Sequence, residues 1–228
     1  MCSSDLGGYI NRRARIRLYG GEILCYNSGM KLLLATNNAH KMREIRQILG
    51  GAFPDMVTLR EAGFAIDVVE DGETFAQNAV KKAEEVLKFS GYEAALADDS
   101  GLMVDALSGA PGVFSARYAG EGHDDAQNNA KLMADMAGVP AKKRTCRFVS
   151  AVALARKGKE TICVTGAVEG ILLEAPRGSN GFGYDPYFYY EPFGKSFAEL
   201  SAEQKNAVSH RKRRSEEHTS ELQSRQSI

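Results

Sequence analysis

Apolar positions acquire a period only near Met30. Ahead of it, residues 1–29 mix Ser, Gly, Arg and Tyr without sustained alternation. Residues 31–36 (KLLLAT) then have the length and composition of a short buried strand. A helix is predicted over about residues 39–49, with Asn38 as its N-cap, Met42, Ile45 and Leu49 on one face, and Gly50-Gly51 as its stop. Residues 64–69 read as a second strand. Thr74-Phe75-Ala76-Gln77 has the form of a capping box, opening a helix that runs to about Phe89 and buries Phe75, Ala79, Ala83 and Val86 or Leu87. The alanine-rich run at 94–97 reads as a strand ending in Asp98-Asp99-Ser100-Gly101, and Gly109-Ala110-Pro111-Gly112 reads as a loop. A helix is expected over 124–137. Residues 145–155 and 160–172 alternate around Arg156-Lys157-Gly158-Lys159 as a long hairpin. Ser201-Ala202-Glu203-Gln204 is a second capping box, which puts Lys205, Ser209 and His210 on or just after a short helix. This order of elements predicts an α/β fold with a mixed sheet.

Composition narrows the function classes. The 228 residues are 43% hydrophobic, enough for one sizeable core or for two lobes sharing a sheet. Lys plus Arg and Asp plus Glu balance at 29 each, so no global field recruits nucleic acid or an anionic membrane. No apolar run approaches the length of a bilayer span, and Arg12, Arg13, Arg15 and Arg17 are not followed by the apolar stretch of a secretory signal. A cytoplasmic protein with a small ligand is expected. Four cysteines without a C-x-x-C pair and four histidines without ligand spacing argue against structural zinc and a disulfide framework. The polar stretch 214–228 carries only Leu222 and Ile228 as large aliphatics. Both ends are therefore expected to be extensions foreign to a domain at 30–211, with 212–228 as the tail, although a functional tail or terminal helix fits the same composition.

Several groups could carry chemistry. A strand, then Thr36-Asn37-Asn38-Ala39-His40-Lys41, then a helix would turn backbone N–H groups and a lysine toward an anion. The same pattern also serves an ordinary capped helix. Gly194-Lys195-Ser196 matches only the end of a Walker A motif, with Tyr189 where its first glycine belongs. Asp98 and Asp99, being adjacent in a strand, must face opposite ways, so one can enter a cleft while the other is structural. Glu70 and Asp71 end the preceding strand in the same manner, so a Glu–Asp pair from two neighbouring strand ends would make an oxygen site suited to magnesium, although solvated loop acids are the commoner fate of such residues. The run 178–186 holds three glycines, two aromatics and Asp185, which suits either a stacked base or a tight turn with core aromatics. Lys205, Ser209, His210 and Arg211 offer donors near the last helix end.

Together, TNNAHK at 36–41, EDGETFAQNA at 70–79, ADDSGL at 97–102, GAPGVFSARYAG at 109–120, GFGYDP at 181–186 and SHR at 209–211 resemble the inosine triphosphate pyrophosphatase family. The resemblance runs from about residue 30 to 211, some four fifths of the chain. It implies an elongated, two-lobed α/β fold, a twisted mixed sheet flanked by helices around a central cleft, and a homodimer. It also implies magnesium-dependent hydrolysis of noncanonical purine nucleoside triphosphates (ITP, dITP, XTP) to the monophosphate and pyrophosphate. On the family pattern Thr36, Asn37, Asn38, Ala39, His40 and Lys41 would hold the triphosphate, with Lys82 assisting. Glu70 and Asp99 would bind Mg2+, Asp99 would be the catalytic residue activating water, and Ser100 would touch substrate. Phe182, Gly183, Tyr184, Asp185, Lys205, His210 and Arg211 would line the nucleotide pocket. In that family the chain after SHR continues into an apolar helix, whereas here Lys212-Arg213-Arg214 leads into the polar tail, which predicts lost packing around His210 and Arg211. Alternatives are a related pyrophosphatase for modified or pyrimidine nucleotides, a non-catalytic nucleotide-binding module, or an RNA binder suggested only by residues 210–214.

Overall fold

The computed structural model describes residues 13–17, 23–27, 31–49, 53, 55–121 and 124–208. Strands β1 (Arg13–Arg17) and β2 (Ile23–Asn27) pair antiparallel as a two-stranded sheet. The remaining strands of the described residues form one mixed sheet. These are β3 (Leu32–Leu34), β4 (Met56–Thr58), β5 (Ala94–Val104), β6 (Thr145–Arg156), β7 (Ile162–Leu172), β8 (Phe188–Tyr190) and β9 (Lys195–Ser196). Their order is β4-β3-β5-β6-β7-β8-β9, with β3 parallel to both β4 and β5 and the other pairs antiparallel. Helices α1 (Ala39–Leu49), α2 (Phe75–Ser90), α3 (Asp125–Asp135) and α4 (Ala202–Val208) flank it.

Alternation along β5 builds the lobes. Its odd positions Ala95 and Ala97 pack with Ala79, Ala83 and Val86 of α2. Small side chains on both sides let helix and sheet approach closely. The even positions Ala94 and Leu96 join Ile45 of α1 in a second cluster, while Leu102 and Val104, further along the same face, join Leu132 of α3 and Met136 just past its end in a third. Asp98 and Ser100 lie between these two clusters on that face, where the lobes part.

Three expectations need correction. Residues 64–69 form no strand: Phe64, Ile66 and Val68 are half-buried against the α2 cluster and Ala65, Asp67 and Val69 are exposed, yet no ladder joins them. The period of two was real, but both edges of β3 are already taken, by β4 and β5. Glu70 and Asp71 consequently lie on the run leading into α2 and not at a strand end. Nor do Asp98 and Asp99 end a strand, because β6 pairs with β5 as far as Val104↔Cys146 and carries the carboxylates into mid-strand. The hairpin β6–β7, both capping boxes and the Asn38 cap match the sequence pattern. Gly194 ends a short helical turn and Lys195–Ser196 is a strand, so no phosphate loop forms there.

Candidate active site

The site begins where β3 stops. Strand β3 pairs with β5 only over Leu32–Leu34 against Ala94–Leu96, and Ala35 N–H adds one further bond to Leu96. Beyond that, β5 is next met on this side when Leu102 N–H donates to Ser115 Oγ (2.9 Å). Residues 97–101 thus have no strand partner on this side among the described residues, and side chains from both faces of β5 converge at an open sheet edge. Close approach is essential at Gly101, because a Cβ there would lie 2.2 Å from Ser115 Oγ.

On the even face Asp98 is fully buried. It accepts from Ser150 Oγ at 2.6 Å and Ser100 Oγ at 3.1 Å, and pairs with Lys41 Nζ at 3.2 Å. Its role is to hold Lys41, in the first turn of α1, toward the cleft. That turn is braced by its own cap: Asn38 Oδ1 accepts from the N–H groups of His40 (2.9 Å) and Lys41 (3.1 Å), while Thr36 Oγ1 accepts from Asn38 N–H. Asn37, Asn38, Ala39 and His40 are exposed.

Asp99 faces the other way. It is 5% exposed, and its Oδ2 is buried without a hydrogen-bond partner. Burial raises its pKa above the ordinary aspartate value; Lys41 and Lys82 oppose that rise and Glu70 adds to it. Asn78 lies beside the carboxylate, at a geometry that leaves both Asn78 Nδ2 and Asp99 Oδ2 unbonded. Asn78 Oδ1 instead accepts from Gly72 N–H (2.8 Å), and Arg117 donates to the Glu70 carbonyl (3.0 Å), so the run carrying Glu70 is held from two sides. Lys82 of α2 lies 2.5 Å from the Glu70 carboxylate and also reaches the Asp98 carbonyl at 3.4 Å. Asp71 pairs with Lys81 instead. An unpartnered buried carboxylate oxygen near a second carboxylate fits a divalent cation, since magnesium needs one or two carboxylates plus water and phosphate oxygens.

Across the cleft lies the loop 181–185. Gly181 has φ +78°, and a Cβ there would stand 2.0 Å from Asp185 Oδ2, so only glycine allows the turn. Asp185 is buried and accepts from Phe182 N–H (2.9 Å) and Lys205 Nζ (2.6 Å). Burial pushes its pKa up, and Lys205 pulls it back. Lys205, on α4, also pairs with Glu44 of α1 at 3.0 Å and lies 4.8 Å from the Phe182 ring centre. It therefore lies on the same side of the cleft as the 181–185 loop. His40 stacks on Phe182 at 5.1 Å, and Tyr184 Oη donates to the Ser115 carbonyl at 2.8 Å. Asn38, Lys41, Ser100, Phe182, Gly183, Tyr184, Asp185 and Lys205 all line one cleft, and Asp99 and Glu70 are not among its lining residues. His210 and Arg211 lie outside the described residues.

Sequence reasoning missed Glu44, Asn78, Ser115 and Ser150. Glu44 could have been found, because it lies three residues beyond Lys41 on the same helix face. Ser150 meets Asp98 only through the β5–β6 register, which no local pattern shows.

A sequence profile of the Ham1 family matches residues 32–218. The dITP/XTP pyrophosphatase of Leuconostoc mesenteroides is 48% identical over 184 residues, covering 80% of this chain and 91% of the relative. That of Desulforamulus reducens is 50% identical over 182 residues, covering 80% and 90%. The solved Ham1 protein of Staphylococcus aureus superposes with a TM-score of 0.72 at 36% identity, over 86% of this chain and 99% of that one. The nucleoside-triphosphatase / dITP/XTP pyrophosphatase of Mycobacterium abscessus gives 0.68 at 43%, over 81% and 96%. With the profile spanning most of its length and the open-edged mixed sheet shared with solved relatives, this chain belongs to the Ham1 family.

Proposed function

We propose that this protein is a nucleoside triphosphate pyrophosphatase that hydrolyses ITP, dITP and XTP to the monophosphate and pyrophosphate. The observation that carries this reading is the buried, unpartnered Asp99 oxygen beside Glu70 and two lysines, at the edge of an aromatic-lined cleft. Pyrophosphatase relatives nearly half identical over four fifths of the chain support it. Glu70 and Asp99 would hold Mg2+, which when bound offsets phosphate charge and acidifies a coordinated water.

The triphosphate lies against the exposed turn 36–41, with Lys41 and Lys82 facing its anionic oxygens. Asp99, desolvated and without a donor on Oδ2, accepts a hydrogen bond from the attacking water and orients it. Water oxygen bonds to the α-phosphorus as its proton passes to the Asp99 carboxylate and on to solvent, the bond to the bridging α–β oxygen breaks with its electron pair going to that oxygen, and pyrophosphate departs toward the lysines. Ser100 steadies the substrate at the cleft floor. The base lies against Phe182, with Gly183, Tyr184, Asp185 and Lys205 around it and His210 and Arg211 completing the pocket. Selectivity for a 6-keto purine lacking a 2-amino group follows if a buried 2-amino group finds no partner there. The assembly is a homodimer in the cytoplasm. Among the described residues no helix is long and apolar enough to cross a membrane.

Hydrolysis in oxygen-18 water tests the chemistry. Label found in the monophosphate supports attack at the α-phosphorus, and label found in pyrophosphate or phosphate contradicts it.

A further inference from the structure

Helix α3 grips the base loop at one residue. Asp125 Oδ2 accepts from Gly183 N–H at 2.7 Å, and Asn129 Nδ2 donates to the Gly183 carbonyl at 2.9 Å. Asp125 and Asn129 are one helical turn apart, so both reach the same point. The N–H belongs to the peptide before Gly183 and the carbonyl to the peptide after it, so the two bonds fix both planes. That matters because Gly183 has φ +60° and, as a glycine, little intrinsic resistance to rotation. Immediately upstream is the Phe182 ring. Immediately downstream are Tyr184, anchored on Ser115, and Asp185, anchored on Lys205.

The grip has a local cost. Asn129 Oδ1 is buried with no hydrogen-bond partner, which costs folding stability. The neighbouring Asn128 is fully used, accepting from Ala119 N–H and donating to the Ala116 carbonyl.

We propose that Asp125 and Asn129 are positioning residues for the nucleobase: by clamping Gly183 they pre-set the face that Phe182 offers to the base, without acting on the triphosphate. This rests on the reading that the loop 182–185 receives the base. The clamp makes the two ends of the substrate separable, so a probe without a base distinguishes positioning from general loss of structure.

The test measures KM and kcat for ITP and the inhibition constant of inorganic tripolyphosphate, for wild type, Asn129→Ala, Asp125→Ala and Asp125→Asn. Each alanine variant should raise KM about 5- to 10-fold, the worth of one hydrogen bond, with kcat within about two-fold. Tripolyphosphate inhibition should be unchanged, and Asp125→Asn, which keeps an acceptor oxygen, should restore the wild-type KM. Unchanged KM in both alanine variants, or KM and tripolyphosphate inhibition weakening together, would overturn the inference. If Asp125→Ala does not fold, Asn129→Ala alone decides by the same criteria, because the Asp124 cap of α3 remains. If wild type releases no pyrophosphate from ITP, the parent reading fails, and titration with inosine monophosphate decides the clamp separately. Weaker binding in Asn129→Ala supports it, and equal binding overturns it.

Discussion

Asp99 concentrates the conflict between stability and chemistry in one side chain. A buried carboxylate oxygen without a donor is unfavourable in the folded protein and useful for a reaction that must hold a cation or a water. Asp99→Asn should therefore melt higher than wild type in chelator, while turnover falls about 10²- to 10⁴-fold, the range of a lost positioned base. Calorimetry and initial rates measure the two together; a variant that melts lower, or keeps near-full turnover with saturating magnesium, contradicts this role. The alternation of Asp98 and Asp99 was legible from sequence, since strand neighbours face opposite ways. That Asp98 is the anchor of Lys41 was not, because Ser150, which accompanies Lys41 on it, comes from another strand.

Among the elements, α4 is short and depends on what it touches. It docks on α1 through Lys205 with Glu44 and through Asn206 Nδ2 with Gln47 Oε1 (2.6 Å). Lys205→Ala would remove the cation shared by two largely buried carboxylates, Glu44 and Asp185, and we expect a loss of roughly 3–5 kcal/mol by urea unfolding at neutral pH. A loss below about 1 kcal/mol would mean the carboxylates find other partners or take up protons. Tyr118 ties the turn Gly112–Arg117 to α3 through Asp135 (2.6 Å). Burial, and then that carboxylate, raise its hydroxyl pKa from 10.0 to about 12. Because the folded state keeps this proton to higher pH than the unfolded state, the stabilisation is complete below pH 10 and lost by about 12. Tyr118→Phe should flatten the fall in unfolding free energy across that window; an equally steep fall in the variant would assign the alkaline loss elsewhere. Helix boundaries were legible wherever a cap was written locally, as at Asn38, Thr74 and Ser201. Short strands were less so: residues 64–69 alternate yet stay unpaired, whereas 56–58 pair with β3, a difference set by what lies beside each segment.

At the scale of the molecule, one long strand with a partly uncovered edge serves two lobes and places its mid-strand acids where the lobes part. The α/β class, the β6–β7 hairpin and the cleft-lining motifs could be read from the chain. The open edge of β5 could not, because it depends on β3 stopping after three residues while β5 continues to Val104. The same geometry predicts that activity needs a cation and a base together, since Asp99 follows the buried Asp98 and precedes Ser100, which lines the cleft that also holds the aromatic loop. The most direct measurement is pyrophosphate release from ITP, XTP, GTP, ATP and dTTP, each with magnesium and with excess chelator. Release confined to ITP and XTP and abolished by chelator is the expected result. Comparable release from GTP or dTTP, release that survives chelation, or ITP that binds and remains intact with magnesium would contradict it.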